Sequence, residues 1–150
     1  MYKSILVPTD GSTLSTKAVK QAAMLAKAIG AKLTIVHSKQ DYEAFVKDRY
    51  NVLPALAAPV KKKYKEEFAA SSRKILDKAC AEAAAAGIQC AGVSVTSGSP
   101  YEAIIKQAVK SKCDLIMMAS HGSRGLEDVL LGSETQKVLT HSDIPVLVVR

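Results

Sequence analysis

The chain contains no tryptophan, two phenylalanines, five prolines and three cysteines. No apolar run approaches the roughly 18 residues that a membrane-spanning helix requires. The opening residues run almost at once into Ile5-Leu6-Val7, without the charged region, apolar core and cleavage site of a secretory signal. These features predict a cytoplasmic protein. The cysteines, Cys80, Cys90 and Cys113, are odd in number and form no CxxC pair. They predict neither a disulfide framework nor a cysteine zinc site, and fit small buried apolar residues in a reducing compartment.

Basic residues outnumber acidic ones, with a formal net charge of +7. The excess is concentrated at the start, where residues 1–40 carry six lysines against Asp10 alone. Lys17, Lys20 and Lys27 fall on the polar side of a helix, and Lys61, Lys62 and Lys63 open another. Aromatic residues of the kind that stack bases are not interleaved among them, so a nucleic-acid surface is not indicated. At 150 residues the chain fits one domain, 1–150, large enough to fold around a single core.

The apolar pattern alternates short continuous runs with helical periodicity. Ser4-Ile5-Leu6-Val7, Leu33 to His37, Ile88 to Val95, Leu115 to Met118 and Ile144 to Val149 predict five strands. Between the first two, Ser12 is a helix N-cap. Leu14, Ala18, Ala22, Leu25 and Ile29 form one face, and Gly30 ends the helix. A long helix from near Pro59 carries Tyr64, Phe68, Ser72, Ile75, Ala79, Ala83 and Ala86 on one stripe. Ser99-Pro100-Tyr101-Glu102 and Ser133-Glu134-Thr135-Gln136 read as capping boxes opening two further helices. The first of these helices should bury Ile104, Ile105, Ala108 and Val109. The segment from Ser38 to Ala58 has room for a short helix around Phe45, in either a lid-like insertion or a surface loop. Strands alternating with helices predict an α/β fold, a doubly wound parallel sheet of Rossmann-like type with helices on both faces. Such sheets take ligands beyond the carboxyl ends of their strands, where strand order reverses.

Two segments meet that condition: Pro8 to Ser12 after the first strand, and Ala119 to Ser133 after the fourth. The second contains Gly122, Gly125 and Gly132 and runs into a helix at Ser133. Free N–H groups and the positive end of a helix dipole suit an anion there. A branched side chain at 132 is expected to block that anion while leaving the apolar stripes untouched. There is no Gly-Lys-Ser/Thr of a Walker loop, and no GxGxxG after the first strand. The three histidines, His37, His121 and His141, form no catalytic triad or metal-ligand spacing, so no catalytic or metal-binding residue is assigned.

Ile5-Leu6-Val7-Pro8-Thr9-Asp10-Gly11-Ser12, Met118-Ala119-Ser120-His121-Gly122, Leu130-Leu131-Gly132-Ser133 and Ile144 to Val149 together resemble the universal stress protein family over essentially the whole chain. The ATP-binding branch carries Gly-x2-Gly-x9-Gly-Ser/Thr, which falls here on Ala119, Gly122, Gly132 and Ser133, with alanine in place of the first glycine. The resemblance implies a stress-response protein that binds ATP, ADP or AMP, with or without Mg²⁺. It places Asp10 at the ribose or adenine edge beside Pro8 and Thr9, Ser38 near adenine, and Met118 in the pocket wall. Gly122, Gly132, Ser133 and Thr135 would hold phosphates, with His121, Arg124 and Glu134 nearby. It further implies a homodimer through strand 144–149. Two alternatives stand beside a regulatory nucleotide binder. One is a slow ATPase or self-phosphorylating protein with Ser123, Ser133 or Thr135 as acceptor. The other is a nucleotide-free factor working through protein contacts.

Overall fold

The computed structural model describes residues 1–50, 58–122 and 131–150. In chain order the elements are β1 (Ser4–Pro8), α1 (Thr13–Ile29), β2 (Lys32–Lys39), α2 (Tyr42–Tyr50) and α3 (Ala58–Ala85). They continue with β3 (Cys90–Thr96), α4 (Pro100–Lys110), β4 (Leu115–Ala119), α5 (Ser133–His141) and β5 (Val146–Val149). All strand pairs are parallel, and the five-stranded sheet runs β3-β2-β1-β4-β5. The chain moves outward from β1 to β3, then returns to the other side of β1 for β4. The order therefore reverses between β1 and β4, and their carboxyl ends part to leave a crevice.

Alternate side chains of the buried strands serve two cores. Ile5, Val7, Leu33, Ile35, Leu115 and Met117 pack beneath α1 and α3, against Ala18, Ala22, Ala79 and Ala83. Leu6, Val36, Ile116 and Met118 face the other way, toward Ile104 and Ala108 of α4 and Val138 of α5. With both faces covered, the central strands read as unbroken apolar runs. The edge strand β5 is less enclosed, and Leu147 remains 39% exposed.

Helix α1 begins as expected, with the Ser12 hydroxyl accepting from Ser15 N–H at 3.2 Å, and Gly30 closes it in left-handed conformation at φ 69°. A helix does occur around Phe45, its first turn capped by Asp41, whose Oδ1 accepts from Ala44 N–H at 2.8 Å. The two expected capping boxes do not form. Ser99 is the N-cap of α4 but makes no side-chain cap bond. Its place is taken from across the fold by Glu134, whose Oε2 accepts the Tyr101 N–H at 2.9 Å. The N-cap of α5 is Gly132, which leaves Ser133 inside the helix. Val109 lies 64% exposed, because the buried face of α4 runs through Ala103, Ile104, Gln107 and Ala108. The cysteine expectation is corrected as well. Cys80 on α3 and Cys90 at the start of β3 are joined as a disulfide, their Cα atoms 5.9 Å apart. The turn through Gly87 folds β3 back along α3 and brings together two residues whose spacing carries no such signal. Cys113 is free and buried, as expected.

The start of β1 is held by Asp114, at the end of the turn before β4. Its carboxylate accepts the N–H of Lys3 at 2.9 and 3.0 Å and that of Ser4 at 2.9 Å. The N–H groups of Ser4 and Lys3 favour the charged form and pull the carboxyl below its ordinary 3.8. A depressed carboxyl contributes stability above its unfolded pKa and loses it as pH falls through the folded value. Asp114→Asn is therefore expected to cost about 0.5–1 kcal/mol near neutrality, at the low end because the group is exposed. The difference from the parent should close as pH falls below 3.8. Urea unfolding at neutral and acid pH checks this, and a pH-independent difference would count against it.

Candidate functional site

A cleft of about 1120 Å³ opens over the carboxyl ends of the central strands. The loop after β1 gives it Pro8, Thr9 and Asp10, and the end of β2 gives His37 and Ser38. From β4 and the loop beyond come Met118, Ala119, His121 and Gly122, while α5 adds Gly132, Ser133, Glu134 and Thr135. The site residues named from the sequence thus border this one cleft, except Ser123 and Arg124, which lie outside the described residues. Sequence reading did not place His37, Phe45, Tyr64 and Lys137 here, yet they also line it. His37 carried the available signal, as a polar residue ending an apolar strand.

Short contacts fix the two loops. Thr9 is buried; its N–H donates to Val36 O at 2.8 Å and its hydroxyl meets Ser15 Oγ at 3.1 Å. Asp10 Oδ1 accepts the Ser12 N–H at 2.9 Å, which holds its carboxylate at the cleft rim. Gly122 lies against that carboxylate: a Cβ at 122 would sit 2.5 Å from Asp10 Oδ2. A side chain there would have to displace the Asp10 carboxylate. Gly132 is also close-packed, against backbone: its N–H donates to Ser120 O at 2.6 Å and an added Cβ would meet His121 Cα at 3.1 Å. Its φ of −67° is open to any residue, so space rather than backbone conformation favours glycine.

Ala119 ends β4 in extended pairing with Val149 and has no positive φ. Its position does not require glycine, and its carbonyl accepts the Thr135 hydroxyl at 3.0 Å. That hydroxyl is thereby committed to bracing α5 against β4. The first-turn N–H groups of Ser133, Glu134 and Thr135 have no intrahelical partner, and Gly132 provides no side-chain cap. Among the described residues no side chain caps this helix end at the cleft. Near it, Glu134 is neutralised by Lys137 at 3.0 Å.

At the β2 end, Ser38 Oγ is buried without a hydrogen-bond partner among the described residues. His37 Nδ1 meets Ser72 Oγ at 2.8 Å, and its ring stacks on Phe68 with centroids 5.9 Å apart. Burial pushes the imidazole below its ordinary 6.5, Lys39 pushes the same way, and Asp10 opposes both. His37 is therefore neutral around pH 7. His121 lies on the opposite wall with Nδ1 3.2 Å from Ser120 Oγ, and among the described residues no carboxylate is hydrogen-bonded to its ring. Among the described residues no group of three or more His, Cys, Asp or Glu side chains could hold a metal ion, and no helix is long and apolar enough to cross a membrane.

The universal stress protein family model matches residues 1–150, the full chain. The chain belongs to the universal stress protein family. A universal stress protein of Methanocaldococcus jannaschii is 34% identical, in an alignment that covers 100% of this chain and 83% of that protein. Among solved structures, the universal stress protein UspA of Lactobacillus plantarum superposes with a TM-score of 0.82 at 26% identity, covering 99% of this chain and 98% of the other. A universal stress protein in complex with cAMP superposes with a TM-score of 0.71 at 27% identity, covering 99% and 97%. The family's doubly wound architecture is the one this chain adopts.

Proposed function

We propose that this universal stress protein is a regulatory module that binds an adenine nucleotide, ATP or its shorter relatives, in the cleft between β1 and β4. The observation that carries this reading is, among the described residues, the uncapped start of α5 at one side of the cleft, with the unpartnered Ser38 hydroxyl buried at the other. The first suits phosphate and the second suits a polar ligand edge. Their spacing supports one ligand spanning both. β2 and β4 lie two strand intervals apart, about 10 Å, the scale of a nucleotide from base to phosphate. The base then lies toward Ser38, the ribose crosses Asp10 and Pro8, and the phosphates reach Gly122, Gly132 and Ser133, with Met118 as apolar wall. The related structure holding cAMP supports the ligand class. Mg²⁺ would arrive with the phosphates of a triphosphate.

Binding is favoured over turnover. Among the described residues no carboxylate is hydrogen-bonded to His121, and Lys137 is paired to Glu134. Steady-state phosphate release is therefore expected below about 1 s⁻¹. Faster release that disappears in His121→Ala would replace the regulatory reading with an enzymatic one. Mass analysis of nucleotide released on denaturing the purified protein tests binding itself. A preparation that carries no nucleotide and takes none up favours the alternative of a factor acting through protein contacts.

The same reading includes a homodimer through residues 144–149. β5 is an edge strand, its Leu147 is exposed, and an unpaired apolar edge favours pairing with a twin. Removing residues 144–150 would not test this cleanly. Pro145 O and Val149 O accept from Ile116 and Ser120 at 2.9 and 2.8 Å, so the deletion would strip β4 of one of its two partner strands. Leu147→Asp is the sharper variant. It is expected to shift the particle from dimer to monomer in light scattering at micromolar concentration while the melting temperature of the monomer fold persists. A parent that is already monomeric would exclude the dimer.

A further inference from the structure

The disulfide lies away from the cleft, beside a groove of about 420 Å³ between α3 and the edge strand β3. Cys80, Arg73 and Asp77 border the groove from α3, and Gly92 and Ser94 border it from β3. Cys90, half-buried against the core beneath α1 and α3, does not border it. Gly92 faces the sulfur of Cys80, since an added Cβ would stand 3.6 Å from Cys80 Sγ. Its backbone is not left-handed, so no turn calls for glycine there. What the missing side chain does is leave Cys80 Sγ open to the groove. Glycine inside a strand often marks a place where a ligand comes close. The turn that brings the two cysteines together is held by backbone hydrogen bonds. Gly87 N–H donates to Ala84 O at 2.9 Å and Ile88 N–H to Ala83 O at 3.1 Å, and β3 pairs with β2 from Cys90 to Thr96. The sulfurs close a loop of only 10 residues, so their bond adds little constraint to what these contacts already fix. The same fold serves the joined and the open pair.

We propose that Cys80 is a thiol–disulfide exchange site, at which a small thiol entering the groove opens the bond to Cys90 and a small disulfide restores it. The inference is independent of the nucleotide reading, because the groove and the cleft share no lining residue. Exchange proceeds by attack of a thiolate on one sulfur, and access decides which. Here the thiolate bonds to Cys80 Sγ as the bond to Cys90 Sγ breaks. The electron pair leaves on Cys90, which takes up a proton from solvent. A second thiolate then attacks the sulfur of the small thiol held on Cys80, and Cys80 departs as a thiolate that is protonated in turn. The protein has gained two electrons and two protons, and two thiols have become one small disulfide. In the reverse direction Cys80 opens a small disulfide, and Cys90, its Cα 5.9 Å away, displaces the attached thiol. Arg73 and Asp77 flank the groove with opposite charges, so the site selects for size rather than for net charge.

The test treats the full chain with reduced and oxidised glutathione and reads the products by mass and peptide mapping. In the parent, oxidised glutathione should yield Cys80 joined to Cys90, and reduced glutathione should open that link while the chain stays folded. In Cys90→Ser, which lacks the second thiol, oxidised glutathione should leave one glutathione on Cys80. In Cys80→Ser, Cys90 should react at least about tenfold more slowly, because access sets the rate. Gly92→Val, placed in the Cys90→Ser chain, should slow modification of Cys80 by at least about tenfold, and Gly92→Ala by less. A Cβ at 92 meets its neighbours at 3.6 to 3.8 Å, ordinary packing distances, so alanine fits even if valine perturbs the strand, and urea unfolding checks both. Cys113, buried, should stay unmodified throughout and reports that the fold is intact. The proposal is overturned if Cys80 and Cys90 react at equal rates, or if no folded Gly92 variant slows Cys80. It is equally overturned if the oxidised parent carries no Cys80–Cys90 link.

Discussion

Replacing Gly132 with valine is expected to weaken adenine-nucleotide binding by at least about a hundredfold. The position is the N-cap of α5, and its N–H bond to Ser120 O at 2.6 Å sets how the helix meets the end of β4. A first side-chain carbon already falls 3.1 Å from His121 Cα and 3.4 Å from Ser120 O. Both neighbours are backbone and cannot swing aside. Valine therefore has to pry α5 from the His121 loop, and its methyl groups reach into the space assigned to phosphate. Charge-assisted hydrogen bonds contribute about 1.5–3 kcal/mol each, so the loss of two accounts for a hundredfold or more. The sequence alone suggests a variant whose fold is undisturbed. The structure adds a folding cost, about 1–3 kcal/mol for inserting carbons into a packed contact. Calorimetric titration with ATP beside urea unfolding separates the two effects. Binding equal to the parent's would show that the anion site lies elsewhere.

The largest effect on stability is expected at Ile116, which has no part in the cleft. It is fully buried in the core beneath α4 and α5, adjacent to Leu6 on β1 in the sheet register. Ile116→Ala removes three carbons from a site walled by two strands and two helices, where little can relax inward. A cost of about 2–5 kcal/mol follows, out of the roughly 5–15 kcal/mol that a domain of this kind possesses. The urea midpoint should fall steeply with little change in slope. Nucleotide affinity of the folded fraction should stay near the parent's, because Ile116 lies two residues before the first cleft residue of its strand, Met118. A loss under about 1 kcal/mol would mean that this core is looser than its burial indicates.

How far the sequence announced these features depends on whether the deciding forces were local. The central strands were legible because helices cover both faces, which leaves uninterrupted Ile, Leu, Val and Met runs. Gly30 was legible because a left-handed helix end selects glycine. The cleft was legible because the chain must cross the sheet between β1 and β4, which makes Asp10 and Gly122 neighbours. Local grammar misled where a distant group competed for the same bond. Ser99 and Glu102 match a capping box, but Glu134 reaches the α4 N-terminus first. Ser133 matches one too, but the tight contact of Gly132 with Ser120 starts the helix a residue earlier. The pairing of Cys80 with Cys90 and of His37 with Ser72 arises from how α3 packs on the sheet, and residue spacing carries no trace of that.

Titrating the nucleotide-free protein with ATP and AMP tests the central claim most directly. The account predicts saturable binding of one nucleotide per chain, at micromolar to submillimolar affinity, lost in Gly132→Val and retained in Ile116→Ala. Absence of binding by either nucleotide at millimolar concentration, with the protein folded, would contradict it.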